Sequence, residues 1–252
     1  MAIAKVLLNG TTVIDLTSIN AQASSIESGK TFHRADGTIG VGSMALANEY
    51  ENGIVSQEIS GAYTNNRITE IKAYAFKNCT GLTSITAPNV TKTGSNAFDG
   101  CTSLPSVSFP SLTNLSSNCF SNASVTTVTL PSVVTFTSYV FQSCLAGDYV
   151  IDLGQGLQSF TAQAFYGTDN MTSCVLILRR TAGVVTAAGA DSMPKPLWNA
   201  NKVGTLYVPQ ALLASYQTAS NWSTAYGTEN TTFLAIEGSY YETHYADGTP
   251  VT

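Results

Sequence analysis

At 252 residues the chain is long enough to bury a sizeable core, and 44% of its residues are hydrophobic while only 11% are charged. The 11 Lys and Arg face 16 Asp and Glu, so the net charge of −5 leaves no basic surface for phosphates and excludes nucleic acid as an expected partner. No run of 18 apolar residues occurs, and the first residues lack the basic lead and long apolar stretch of a signal peptide, so we expect neither membrane insertion nor export by that route.

Residues 1–45 are predicted to form a separate β-rich module. Asn9-Gly10 supplies the positive φ angles of a tight hairpin turn between two short strands. Asp36-Gly37 predicts a second turn with flanking strands. The polar stretch 46–66 is predicted to be a linker, or an N-terminal cap over the repeats that follow.

A phenylalanine returns through the middle of the chain at a nearly constant spacing. Successive positions differ by 22, 22, 21 and 24 residues: Phe76, Phe98, Phe120, Phe141 and Phe165. Repeats this short cannot fold alone, so each must bury its apolar side against the next. We therefore predict a mainly β solenoid of about five to six coils over residues 67–208 that share one core.

Each repeat carries two further features. A small residue or a cysteine follows three positions after the Phe in most repeats, which predicts small buried groups more strongly than disulfides. The cysteines at this position are Cys79, Cys101 and Cys144. A run with alternating apolar residues comes next, which predicts a half-buried strand. Proline ends this run in three repeats, because it has no N–H to give to a neighbouring strand, at Pro88, Pro110 and Pro131.

Residues 209–252 are predicted to cap the far end of the solenoid. The segment 209–219 starts with proline and continues with helix-forming residues, and Trp222 is expected to pack over the last coil. Residues 244–249 repeat the pattern His-x-Ala-Asp-Gly-Thr of residues 33–38 and contain the second of two histidines. We interpret both copies as hairpin turns, because a metal site would need them to meet across subunits.

The repeat pattern resembles the BspA-type leucine-rich repeats of bacterial surface adhesins and of proteins from phages that infect gut bacteria. The segments that carry the resemblance are Ala75-Phe-Lys-Asn-Cys79 and Val125-Thr-Thr-Val-Thr-Leu-Pro131, together with the period. Residues 28–44 and the preceding hairpin are similar to a small N-terminal module of tail-associated proteins in phages and prophages. These resemblances imply a leucine-rich-repeat solenoid, joined to an attachment module.

No catalytic or metal-binding motif stands out in the sequence, which has no H-E-x-x-H, C-x-x-C or G-x-S-x-G. We therefore expect no enzyme activity and no cofactor. The candidate ligand-binding residues belong to the outward face of the predicted strands, where hydroxyls, a carboxylate and aromatics suit a sugar: Tyr149, Asp152, Tyr207, Thr86, Ser108 and Thr129. The alternative interpretation is a solvated sheet face, on which threonine fits well.

The preferred hypothesis is a non-enzymatic phage virion protein of the tail, baseplate or fibre, assembled in the bacterial cytoplasm. Its expected partners are other virion proteins, through residues 1–45, and a protein or glycan of the host surface. A homo-oligomer such as a trimer is compatible with this role. The alternatives are an adhesin on the bacterial cell surface and a purely structural spacer or decoration protein of the virion.

Overall fold

The structure is a computed structural model, and in the first part of the chain it describes residues 5–8, 11–15, 31–33 and 39–41. Further along it describes residues 59–145, 147–197, 199, 201–223 and 231–251. The chain divides into two compact units, Met1–Asn52 and Gly53–Thr252.

The first unit contains two antiparallel strand pairs, in which β1 pairs with β2 and β3 pairs with β4. The strands are β1 Lys5–Leu8, β2 Thr11–Asp15, β3 Thr31–His33 and β4 Ile39–Val41. The predicted turns at residues 9–10 and 36–37 lie outside the described residues. The predicted linker or cap lies outside them as far as residue 58.

The second unit is built from parallel strands of two lengths. The longer ones are β5 Ser60–Thr64, β7 Gly81–Thr86, β9 Ser106–Ser108, β11 Thr127–Leu130, β13 Gly147–Leu153, β15 Met171–Leu178, β17 Val203–Val208 and β18 Thr231–Ala235. The two-residue ones are β6 Glu70–Ile71, β8 Lys92–Thr93, β10 Asn114–Leu115, β12 Thr135–Phe136, β14 Ser159–Phe160 and β16 Thr186–Ala187. The two kinds alternate along the chain from β5 to β17.

Each strand pairs with its counterpart in the next repeat. Six longer strands form one sheet in the order β9-β11-β13-β15-β17-β18, here called the long-strand sheet, and β5 pairs with β7. Among the short strands, β6-β8-β10-β12 form one sheet and β14 pairs with β16. All these pairs are parallel. This mainly β arrangement is consistent with the predicted repeat solenoid, since parallel strands must be joined by a crossover and each repeat supplies one.

The repeated phenylalanines form a continuous stack through the core. All five are almost completely buried. Phe76 lies parallel to Phe98 at a ring-centroid distance of 5.1 Å, and the next two steps, through Phe120 to Phe141, measure 5.5 and 5.6 Å. The step from Phe141 to Phe165 is again 5.1 Å. Because each ring packs against the ring of the next repeat, the repeats share one core, as the spacing predicts.

A six-residue turn precedes the cysteine position in each repeat, and we call this side of the molecule the turn face. Its turns are residues 73–78, 95–100, 117–122, 138–143 and 162–167. Backbone bonds join successive turns, for example from Phe76 N to Ala97 O at 2.8 Å. The second residue of every turn has a positive φ: Tyr74, Asn96, Asn118, Tyr139 and Gln163. The sixth residue has one as well, at Asn78, Gly100, Asn122, Ser143 and Gly167.

The five cysteines lie buried in the core, and none of them forms a disulfide. Burial raises the pKa of Cys79 and Cys144 to about 11 and that of Cys119 to about 12. The same cause raises the pKa of Cys101 and Cys174 further. The expectation that the repeated cysteines act as small buried groups is therefore confirmed.

The segment after β17 forms less helix than the sequence predicts. A 3-10 turn at Gln210–Leu212 leads into helix α1 (Leu213–Thr218), and a short helix α2 (Ser220–Ser223) follows. Trp222 is buried against Phe160 and donates its Nε1–H to the carbonyl of Val185 at 2.7 Å. The chain then adds β18 to the long-strand sheet, so parallel pairing continues past residue 208, where the sequence predicts the solenoid to end.

Candidate recognition surfaces

The predicted binding positions of the longer strands align in one row across the long-strand sheet. Ser108 pairs with Thr129, Thr129 with Asp152, Asp152 with Ile177, and Ile177 with Tyr207. We call these five residues the outward row. The sequence predicts this alignment correctly, because parallel strands of successive repeats pair at the same position of the repeat.

The middle of the outward row is buried, contrary to the expectation of an open surface. Thr129 is 1% exposed, and Asp152 and Ile177 are 0% exposed. Ser108 and Tyr207 at the two ends are half-buried. Thr86, the remaining candidate, is exposed on β7, outside the six-stranded sheet. Thr129 and Asp152 are therefore not available as an accessible contact strip, and a binding role for Thr86, Ser108 and Tyr207 stays a prediction.

Tyr149 belongs to the core and not to the outer face. It has the same parity on β13 as Ile151 and Leu153, which point inward, and it is 1% exposed. Its hydroxyl donates a hydrogen bond to the carbonyl of Leu145 at 2.7 Å. Burial raises the pKa of this phenol. The prediction that Tyr149 lines a sugar-binding surface is wrong, because period-two alternation turns its side chain inward.

The C-terminal residues cover the outward row, and a buried ion pair holds them there. Arg179 donates from Nε and Nη2 to the two carboxylate oxygens of Asp152, at 2.7 and 2.8 Å. The same guanidinium donates to the carbonyls of Tyr241 and His244, at 2.8 and 2.9 Å. It also lies 4.6 Å from the ring centre of Tyr245. Arg179 therefore links the sheet to the C-terminal segment 240–251, here called the tail.

Asp152 is the acceptor at the centre of this contact. Besides the Arg179 guanidinium, its carboxylate accepts the backbone N–H of Ala246 at 3.0 Å. Burial raises the pKa of Asp152, and the hydrogen bonds and charge of Arg179 offset part of that increase. A buried carboxylate with a bidentate guanidinium and one N–H has most of its acceptor capacity filled, so this site is structural.

The Asp-Gly turn of the tail makes the second contact with the sheet. Asp247 donates its backbone N–H to the hydroxyl of Thr129 at 3.1 Å. Burial of Asp247 opposes ionisation, but hydrogen bonds from Ser108 and Thr249 outweigh it and lower the pKa of the carboxyl. Gly248 has a φ of 84°, and His244 bridges to Pro250 in antiparallel fashion. The predicted hairpin turn at 244–249 is thus confirmed, and its tip docks on the outward row.

Arg179 is the residue of this contact that the sequence interpretation missed. It follows the last residue of its strand, the position that proline holds at the end of three earlier runs, at Pro88, Pro110 and Pro131. An arginine in that position is a signal in a chain with only 11% charged residues. Gly154 occupies the same position one repeat earlier, where an added Cβ would lie 1.5 Å from the carbonyl oxygen of Pro131. These two departures from the repeat lie at the tail contact.

A cleft of about 380 Å³ lies between the ends of these strands and the tail. Its lining includes Arg179, Gln155, Glu237, Glu242 and Tyr245. Both glutamates also accept backbone N–H bonds, from Gln210 and Gly238 respectively. The cleft is thus lined by both polar and apolar groups, and hydrogen bonds within the chain hold two of its side chains in place.

The turn face carries exposed aromatic side chains. Tyr74 is 47% and Tyr166 is 44% exposed, and Tyr139 is half-buried beside Tyr166. The rings of Tyr139 and Tyr166 lie 5.9 Å apart, nearly perpendicular to each other. This face carries aromatic and amide groups that the sequence interpretation did not consider.

Metal-binding groups do not cluster in the described part of the chain. No group of three or more His, Cys, Asp or Glu among the described residues could hold a metal ion. Within the same residues, no helix has the length and apolar character needed to cross a bilayer.

Comparison with known proteins identifies the repeats. Residues 64–179 match the BspA type leucine-rich repeat region in six copies. No curated protein matches the chain. Repeat regions of this family are generally non-enzymatic scaffolds, which indicates surface recognition or adhesion. Residues 64–179 are therefore similar to a BspA type leucine-rich repeat region, and their stacked phenylalanines and parallel strands are consistent with a repeat solenoid.

Proposed function

We propose that this protein is a non-enzymatic component of a phage or phage-like particle, located at the tail, whose repeats contact the host cell. The observation that carries the proposal is the contrast between buried and outer positions of the repeats. Phenylalanine fills the buried slot five times, whereas the second position of the turn holds Tyr, Asn or Gln. A constant core with a varied surface is the arrangement of a scaffold that presents side chains to a partner.

The attachment part of the proposal concerns residues 1–45. Their similarity to a module of tail-associated proteins supports a contact with other tail proteins, and the two compact units support a division of tasks between attachment and recognition. The protein would then be part of the virion, and a trimer would suit an appendage of the tail.

Two alternatives remain open to experiment. A bacterial cell-surface adhesin would use the same repeats, since BspA-type repeats occur in such adhesins. A structural spacer or decoration protein is the second alternative. It is favoured by the contact between residues 240–251 and the long-strand sheet, because this contact covers part of the sheet face.

The full-length protein can decide among the three roles. Mass spectrometry of particles purified from an induced culture is expected to detect the protein in stoichiometric amount. Added full-length protein is expected to bind host cells and to reduce adsorption of the same particles. Detection only in the cell-surface fraction would overturn the virion role in favour of the adhesin. Incorporation into particles without any binding to cells would favour the spacer.

A further inference from the structure

We propose that the turn face carries a binding site for a neutral saccharide, built on Tyr139 and Tyr166. The inference rests on the proposed recognition function and names the class of ligand. It also moves the contact surface away from the outward row, which the tail covers. The site would comprise the turns 138–143 and 162–167 together with Asn118 of the preceding turn.

The backbone at Tyr139 is the first observation. Its φ of 62° places a bulky side chain in the left-handed region. Asn96 and Asn118 hold the equivalent position in two other repeats with a φ of 58°, and asparagine is the ordinary residue that adopts this conformation most readily. With tyrosine at position 139 the folded state is therefore less stable than it would be with asparagine. Such strain is typical of positions with a function at the surface.

The geometry of the tyrosine pair is the second observation. The two ring centroids lie 5.9 Å apart with an interplanar angle of 81°, and Tyr166 is 44% exposed. The hydroxyl of Tyr139 donates a hydrogen bond to the Oε1 of Gln163, which fixes the first ring. Perpendicular rings form a corner in which one ring can contact the C–H face of a sugar while the other contacts its edge.

The polar groups around the pair are the third observation. Asn118 Nδ2 donates to Gln142 Oε1 at 2.9 Å, which orients that amide. Within the described residues, the amide nitrogens of Gln142 and Gln163 and the hydroxyl of Tyr166 have no hydrogen-bond partner in the chain. These donors can reach the hydroxyl and ring oxygens of a saccharide, and polar groups that converge beside an apolar surface are typical of binding sites.

Charge selects the class of ligand. Neither turn of the site, 138–143 or 162–167, contains an acidic or basic residue. Tyr74, the other tyrosine with a left-handed backbone, has a different setting, because Lys77 lies 5.6 Å from its ring and pairs with Asp99 at 2.9 Å. The uncharged site therefore suits a neutral sugar, whereas sialylated or sulfated sugars would gain no ion pair there. Tyr74 supplies a matched control with the same strain.

The test uses full-length protein on an array of immobilised oligosaccharides, with neutral galactose-, glucose-, mannose- and N-acetylhexosamine-terminated members beside sialylated and sulfated ones. We expect binding to at least one neutral member. Tyr139→Asn and Tyr166→Ala should each weaken that binding at least about tenfold, because each removes one ring of the corner. Tyr74→Asn should leave it unchanged. Tyr139→Asn should melt at the same or a higher temperature, since asparagine fits the left-handed backbone.

Three results would overturn the site. They are no binding to any neutral oligosaccharide, equal binding by Tyr139→Asn, and equal loss in Tyr74→Asn. Binding of the protein to host cells distinguishes failure of the saccharide site from failure of the proposed function. If the protein binds cells, and both Tyr139→Asn and periodate oxidation of the cell glycans leave binding intact, recognition stands and the ligand is a protein. If the protein does not bind cells at all, the recognition function itself is wrong.

Discussion

The repeat core and the tail contact are stabilised in different ways. In the core, each residue packs against the same residue of the next repeat, as in the stack from Phe76 to Phe165. The tail contact joins residues that have no counterpart in the other repeats and lie far apart in the sequence. For example, Asp152 accepts the N–H of Ala246. The core thus depends on residues that recur in every repeat, and the tail contact depends on individual residues that do not recur.

This difference has a consequence for stability. A residue lost from the stack removes contacts on two sides, because its ring touches both neighbouring repeats. A residue lost from the tail contact leaves the repeats intact and releases one segment. The two regions can therefore be separated by substitutions that act on one of them alone.

Truncation of a stacked phenylalanine should have the largest effect. Phe120→Ala is expected to lower the free energy of unfolding by about 3–5 kcal/mol, because the ring is buried and the cavity cannot close. The step of 24 residues before Phe165 is the longest of the four and predicts looser packing there, but that ring also packs against Phe136 and Phe160. We therefore expect Phe165→Ala to cost at least as much. Chemical denaturation measures both, and a much smaller loss at Phe165 would contradict a core continuous to that repeat.

Loss of one partner in the buried ion pair should come next. Arg179→Met leaves the carboxylate of Asp152 without its cation and is expected to cost about 3 kcal/mol, limited by release of the tail. The double variant Asp152→Leu/Arg179→Met removes both charges and should be less destabilised than Arg179→Met alone. Denaturant titration of the two single variants, Asp152→Leu and Arg179→Met, and of the double variant gives the comparison. A double variant as unstable as the sum of the two single ones would show that the pair is not coupled.

The cysteines should give the smallest change, measured as a rate. With a pKa of about 11, Cys79 and Cys144 hold only about a thousandth of their thiol as thiolate at pH 8. Iodoacetamide at that pH is therefore expected to leave the folded protein nearly unmodified, whereas unfolded protein should take up five equivalents. Mass spectrometry of the two samples measures this. Rapid alkylation of Cys119 in the middle of the stack would contradict the closed core.

The sequence predicts the features that repeat. Spacing alone places the phenylalanines, the cysteine position and the alignment of Ser108, Thr129 and Asp152, because each repeat confirms the phase of the others. It also contains the information that excludes Tyr149 from the surface, since Ile151 and Leu153 share its parity. That error came from weighing the aromatic character of Tyr149 over the alternation of the strand.

The sequence does not predict the contacts and backbone features that are not shared between repeats. Asp247 donates to Thr129 across 118 positions, and no period relates the two residues. Helix propensity in 209–219 overestimates the helix, because Leu213–Thr218 is followed by extended backbone at Ala219. The strain at Tyr139 depends on a backbone angle, which the sequence suggests only through asparagine at the equivalent position.

The central claim is that the tail closes the outward row and leaves recognition to other surfaces. Amide hydrogen exchange of the full-length protein tests it most directly, at Ala246 and Asp247. Their N–H groups donate to Asp152 and Thr129, so exchange should be slowed at least about a hundredfold relative to an unstructured peptide. Arg179→Met should abolish that protection while the amides of Phe98 and Phe120 stay protected. Exchange at the unstructured rate in the unmodified protein would contradict the claim.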